Sequence, residues 1–227
     1  MSDSTFGVQL APTFTDSVKA WWTAVVPLSV GALLTLVVYG AFRYPANELF
    51  VDDKIYQSVA LDLVGLIIAG TLAVPWYHYA LAAADGREID LAAPFADKKL
   101  FAYQAVASFW FWAAVLLGLR YLWGIPSIFA MLLYAFHGYV VADGRSKGGM
   151  MALGTSVRLT EGRRVGLFAI AGLLLVFNLF GMIGWGLEDL SAPVRLLLAV
   201  VGLTVTSSIT LVMGAMLYRV FEKDLKK

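Results

Sequence analysis

The side chains able to do chemistry are few and widely spaced in this chain. Its two histidines, His78 and His137, lie at nearly equal distances ahead of two identical tetrapeptides, Ala84-Asp85-Gly86-Arg87 and Ala142-Asp143-Gly144-Arg145. Imidazoles at matched depth on separate helices can hold a haem iron between them. Aligning the tetrapeptides leaves the histidines one residue out of register, a rotation of about 100° on a helix. No cofactor is therefore the main expectation, a haem through His78 and His137 the alternative, and a cap or the lining of a polar cleft the plainer role for both. Asp62 is the carboxylate that falls inside an apolar run. Such a group is a proton or cation site, half of an ion pair with Arg43, Arg120 or Arg195 as candidate partner, or a hydrated position at the end of the span. Asn178 sits in the middle of another apolar run, where its amide needs a hydrogen-bond partner, either a neighbouring helix or a substrate. There is no phosphate-binding glycine loop, no HExxH and no GxSxG. With zero cysteines, disulfides, thiolate metal sites and cysteine nucleophiles are excluded.

The elements that must position these residues are membrane spans. Of 227 residues, 60% are hydrophobic and 15% charged, and the mean hydropathy is +0.76. That leaves too little polar surface to close a water-soluble globule. The pattern predicts an all-α polytopic membrane helix bundle with six transmembrane helices over 21–42, 58–84, 100–122, 126–142, 165–187 and 193–221. These form one membrane domain, 21–221, between a polar lead-in at 1–20 and a basic tail at 222–227. In the lead-in, Thr15-Asp16 reads as the N-cap of a helix that begins near Ser17. Trp21, Trp22 and Tyr44 read as interfacial aromatic flanks of the first span. No cleavable signal peptide is expected, because Asp3 and Asp16 precede the first lysine. Residues 43–57 read as a solvated loop, and Trp123-Gly124-Ile125-Pro126 as a tight turn. If the N-terminus is cytoplasmic, thirteen of the seventeen lysines and arginines fall on the inner side, and Arg43, Lys54, Arg120 and Arg195 on the outer. The expected location is thus the bacterial cytoplasmic (inner) membrane, multi-pass, with both termini in the cytoplasm. A net charge of +1 gives no bulk attraction to nucleic acid.

The stretch between the fourth and fifth spans is the richest in basic residues. Its middle predicts a cytoplasmic amphipathic helix, with Met150, Leu153 and Val157 on one side, lying on the membrane surface. Arg145, Lys147, Ser156, Arg158, Arg163 and Arg164 are the candidate contacts to lipid head groups or to a partner, as against an ordinary solvated loop. Two stripes of small residues at four-residue spacing, Gly202, Thr206, Thr210, Gly214 and Gly65, Ala69, Ala73, predict close helix packing, with a partner-protein face as the alternative. The tetrapeptide echo reads either as a parallel repeat of spans two–three and four–five or as a shared helix-exit turn.

Several short motifs then carry a resemblance. Gly124-Ile125-Pro126 enters a span, Asp143-Gly144 leaves it, and Ala152-Leu153-x-x-Ser156-x-x-Leu159-x-x-Gly162 and Asn178-x-x-Gly181 come after. With Gly86-Arg87, Phe95 and Met216-Leu217-Tyr218-Arg219, the chain from about Ala82 onward resembles the YciC-like and DUF975-like bacterial integral membrane proteins. The resemblance implies a six-span protein of the cytoplasmic membrane, from a group without an assigned reaction and akin to the membrane domains attached to some glycerophosphodiester phosphodiesterases. Where such proteins often carry a proline in the last span, this chain reads Val205-Thr206-Ser207-Ser208. The function expected is that of a non-enzymatic envelope or assembly factor contacting membrane lipids and possible partner membrane proteins or its own copies. The alternative is a small transporter or channel with a polar path between spans two, four and five. An enzyme of lipid metabolism or a haem subunit is a third reading.

Overall fold

The computed structural model describes residues 10–225, so residues 1–9 of the lead-in and Lys226-Lys227 of the tail lie outside the described residues. The chain runs α1 (Leu10–Thr23), α2 (Val25–Val51), α3 (Ile55–Leu72), α4 (Val74–Ala84), α5 (Ala93–Ala96), α6 (Lys99–Tyr121), α7 (Ile125–Leu133), α8 (His137–Ala142), α9 (Gly149–Thr160), α10 (Arg164–Gly181), a 3₁₀ turn at Ile183–Gly186, and α11 (Ala192–Leu225). There is no strand among the described residues. Among the described residues, six segments are long and apolar enough to cross a membrane: Val25–Val51, Ile55–Leu72, Lys99–Tyr121, Ile125–Ala142, Arg164–Gly181 and Ala192–Lys223. The protein is an all-α, multi-pass membrane helical bundle. Within the region read as one membrane domain, its packing falls into two compact units. Unit one takes the described residues up to Leu33, Trp76–Leu91, and those from Thr160 onward; unit two takes Leu34–Pro75 and Ala92–Leu159.

Several boundaries differ from those the sequence predicts, each for a local reason. The first helix begins by Leu10, not near Ser17, which places Pro12 in its first turn, where proline's missing N–H costs nothing. Thr15 and Asp16 therefore lie inside α1. Trp21 is not an interfacial flank: it is buried, and its Nε1 donates to Ser208 Oγ at 2.7 Å. Most of the expected loop at 43–57 is helical, because α2 continues through Pro45 to Val51. Only Asp52–Lys54 turn, with Asp53 at φ +59° and Lys54 N–H donating to Leu49 O at 2.9 Å. Span two is interrupted at Ala73, two residues before Pro75, which cannot donate to the carbonyl of Thr71. Span five ends at Gly181 and passes into the 3₁₀ turn. The last span is unbroken from Ala192 to Leu225, in keeping with its lack of an internal proline.

In unit one, α10 and α11 meet at a glycine-to-glycine contact. A Cβ at Gly202 would lie 2.1 Å from Gly181 O, and one at Gly181 would lie 2.5 Å from Thr206 Oγ1. Gly202 and Thr206 of the stripe on α11 thus serve close approach, where dispersion and interhelical hydrogen bonds act in place of a hydrophobic drive. Thr210 belongs to the same contact, since its Oγ1 accepts from Asn178 Nδ2 at 2.9 Å. The helix α1 packs on α11 as well, with Ser17 Oγ 3.3 Å from Met216 Sδ. Trp76 lies against Gly31, its Nε1 donating to Pro27 O at 3.0 Å.

In unit two, α3, α6 and α7 pack in turn. Gly65 faces Phe42 of α2, Ala69 is buried and Ala73 is the break residue itself. Gly70 faces Ser108, and Gly118 faces Ser127. The turn between α6 and α7 is as tight as its sequence suggests, with Gly124 at φ +79°. Ser127 Oγ donates to Val115 O at 2.6 Å across it.

Gly202→Ala forces a methyl against the Gly181 carbonyl, so it should destabilise unit one by about 1–3 kcal/mol. Gly40→Ala meets nothing within 4 Å and should leave stability unchanged or slightly raised. Thermal unfolding of both variants in mild detergent checks this, and equal melting would contradict the glycine contact.

Candidate functional site

The fourth span is broken between α7 and α8, and α9 closes the break. Its inner face, Gly149, Ala152, Leu153, Ser156, Leu159 and Thr160, is buried. This is a helical stripe, and it lies on a different side from the one predicted. Leu153 belongs to it, Val157 is half-buried, and Met150 faces outward, 58% exposed. Gly149 allows the approach, because a Cβ there would sit 2.4 Å from Tyr103 O on α6. Ser156 then reaches the break: its Oγ donates to Leu133 O at 2.9 Å and accepts from Phe136 N–H at 3.0 Å. Ser156, grouped from sequence with the head-group contacts, is therefore fully buried and satisfies backbone groups that no helix hydrogen bond serves.

The remaining five basic candidates separate by partner. Arg145 is paired with Asp143. Arg163 lies over the ring of Phe221 at 4.6 Å. Lys147, Arg158 and Arg164 are exposed, with no carboxylate partner among the described residues. On α9, Arg158 shares the outward face with Met150 and Met151.

Of the intramembrane polar groups, Asp62, His137 and Asn178 are each paired within one unit. Asp62 is buried and its Oδ2 meets Arg43 Nη1 at 2.5 Å, which selects Arg43 from the three arginines considered. His137 Nδ1 lies 2.7 Å from Tyr134 O. With that nitrogen donating, Nε2 accepts from Gln104 Nε2 at 3.3 Å, and Gln104 also donates to Ser108. Both ring nitrogens of His137 are thus engaged inside unit two, while His78 stands on α4 in unit one. Among the described residues no group of three or more histidine, cysteine or acidic side chains is gathered for a metal. Asn178 Nδ2 donates to Leu174 O and Thr210 Oγ1. Sequence reasoning missed Gln104, although an amide with Ser108 one turn on in an apolar helix is the available signal.

The tetrapeptide echo is a shared helix-exit turn. Gly86 and Gly144 have φ of +64° and +68°. The N–H of Arg87 donates to Ala82 O and that of Arg145 to Val140 O, the six-to-one bond that ends a helix at a left-handed residue. In each, the arginine pairs with the aspartate two residues before it. The two turns lead into different elements, the first into the four-residue α5 and the second into the twelve-residue α9.

Asp85 has a further partner that its sequence position does not reveal. Arg219 of α11 grips it with two parallel bonds, Nε to Oδ1 at 2.8 Å and Nη2 to Oδ2 at 2.7 Å. Arg219 also donates to Glu222 at 3.1 Å. Burial pushes the Asp85 carboxyl up, but the hydrogen bonds and charge of Arg219, then of Arg87, outweigh it and hold it below its ordinary value of 3.8.

Comparison with protein-family models, curated proteins and solved structures finds no match to this chain.

Because the folded Asp85 carboxyl titrates lower than the unfolded one, the Asp85–Arg219 clamp contributes stability that is complete above the unfolded value. It is lost as pH falls through the lower, folded value. Asp85→Asn should therefore melt earlier than the parent at pH 7, and the gap should close on acidification below 3.8. Melting curves of both proteins across that range check it; a gap independent of pH would contradict the clamp.

Proposed function

We propose that this chain is a non-enzymatic protein of the bacterial cytoplasmic membrane, of the YciC-like and DUF975-like kind, with both termini inside. In this reading it acts as an envelope or assembly factor that holds anionic lipid head groups, or a partner membrane protein, at the inner surface. The observation that carries the reading is the outward face of α9. Met150 and Met151 are 58% and 57% exposed beside Arg158, with Lys147 exposed just before the helix. A face combining apolar side chains with cations that have no carboxylate partner among the described residues suits the boundary between head groups and acyl chains. Its inner face is fixed by Ser156 and Gly149, so the cations are presented on a rigid support.

The individual pairing of His137 and Asn178 supports a packing role for these groups over a translocation path. An ion or substrate would need free groups at those positions.

Each cation beside an anionic surface is worth about 1 kcal/mol, so reversing Lys147, Arg158 and Arg164 together to glutamate should weaken retention of phosphatidylglycerol by roughly 100-fold. Reversing Arg145 and Arg163, which are already engaged by Asp143 and Phe221, should cost much less. Titration of the purified protein with a fluorescent phosphatidylglycerol in mild detergent measures both. Unchanged retention in the triple variant, or an equal loss in the double variant, would refute the reading.

A further inference from the structure

A cleft of about 310 Å³ opens in unit two, lined by ends of α2, α3 and α6. Its volume is at the small end of the ~300–1,000 Å³ common for small-molecule sites. Phe50 comes from the last turn of α2, Asp62 from the early turns of α3, and Arg120 from the last turn of α6. Phe50 and Arg120 therefore stand where their apolar runs end, at the level of lipid head groups, with Asp62 about two turns inside α3.

The cleft carries two unmet needs of opposite sign. Arg120 is exposed, and its guanidinium lies 5.0 Å from the centre of the Phe50 ring. It has no carboxylate partner among the described residues. The ring orients the guanidinium without neutralising it, leaving its N–H fork for an anion. Asp62 is in the opposite position. Its Oδ2 is taken by Arg43, but its Oδ1 is buried with no hydrogen-bond partner. A buried carboxylate oxygen without a donor is costly, and a phosphodiester, which carries no proton at neutral pH, cannot supply one. A primary ammonium can, since it carries three N–H groups. Leu116 and Leu119 give the cleft an apolar wall.

We propose that this cleft binds the head group of an aminophospholipid, its phosphate on Arg120 and its primary ammonium on Asp62 Oδ1, with the acyl chains along Leu116 and Leu119. The group recognised is a phosphate and a protonated amine a few bonds apart. The apolar wall assigns it to a lipid and not to the free phosphoamine. This site is separate from the face of α9, and all the lipids that test it are zwitterionic, so its success or failure is independent of the inner-surface cations.

The full-length protein in mild detergent is titrated, by native mass spectrometry, with phosphatidylethanolamine, its N-methyl and N,N-dimethyl derivatives, and phosphatidylcholine of the same acyl chains. Binding should hold while one N–H remains and fall on the order of tenfold at phosphatidylcholine, the loss expected for a hydrogen bond to a charged group. Arg120→Gln should weaken ethanolamine and choline lipids alike and keep their ratio, whereas Asp62→Asn should collapse the ratio toward one. Soluble O-phosphoethanolamine should bind far more weakly than the lipid. Equal binding of the ethanolamine and choline lipids by the unaltered protein would overturn the proposal, and this arm needs no variant to fold. An Arg120→Gln protein with undiminished binding would overturn it too. Binding of O-phosphoethanolamine as tight as that of the lipid would overturn its assignment to a lipid.

Discussion

A peptide group inside a membrane has no water to turn to, so each break in a spanning helix must be repaired by the chain itself. The structure is organised by how it meets that demand. Between α7 and α8 the helix ladder is interrupted, and a single hydroxyl, Ser156, serves a carbonyl on one side of the gap and an N–H on the other. His137 turns its ring back onto the carbonyl of Tyr134 within the same gap. The fourth span can therefore be broken only because α9 is docked beside it.

That docking has consequences outward and inward. Inward, Gly149 brings the α9 backbone against α6. Outward, it fixes Met150, Met151 and Arg158 on the opposite side of the same helix. In unit one a comparable economy of bulk operates at Gly181 and Gly202, where two backbones touch and Asn178 reaches Thr210 beside them. Polar groups placed deep in the apolar runs are consistently paired side chain to side chain, or side chain to backbone. Asp62 Oδ1 and Gln104 Oε1 are exceptions.

The sequence makes the spans legible because long apolar runs have few other uses, and the turn at Gly124 because a glycine just ahead of Ile125-Pro126 marks a left-handed residue before a helix start. It makes Gly202, Thr206 and Thr210 legible as a packing stripe through their spacing. What it hides are the partners. Nothing local says that Trp21 leaves the interface to reach Ser208, or that Asp85 is held by Arg219, since these contacts span 187 and 134 residues. The phase of α9 escapes a hydrophobic pattern because methionine and leucine count equally in it. Glycine and serine, the residues that mark its docked face, count as polar or neutral. The break at Tyr134–Phe136 has no proline to announce it; it is held by a hydroxyl twenty residues away.

In the structure α9 is docked by one face, and the proposed function requires that its other face meet the cytoplasmic surface. Because the chain has no cysteine, single cysteines can be placed without background at Met151 and Arg158 on the outward face and at Ala152 and Ser156 on the docked one. Labelling with a membrane-impermeant maleimide is then compared in inside-out vesicles and in intact cells. Rapid labelling at 151 and 158 is expected in the vesicles alone, with 152 and 156 protected. Equal labelling on both faces of the helix, or labelling from the cell exterior, would contradict it.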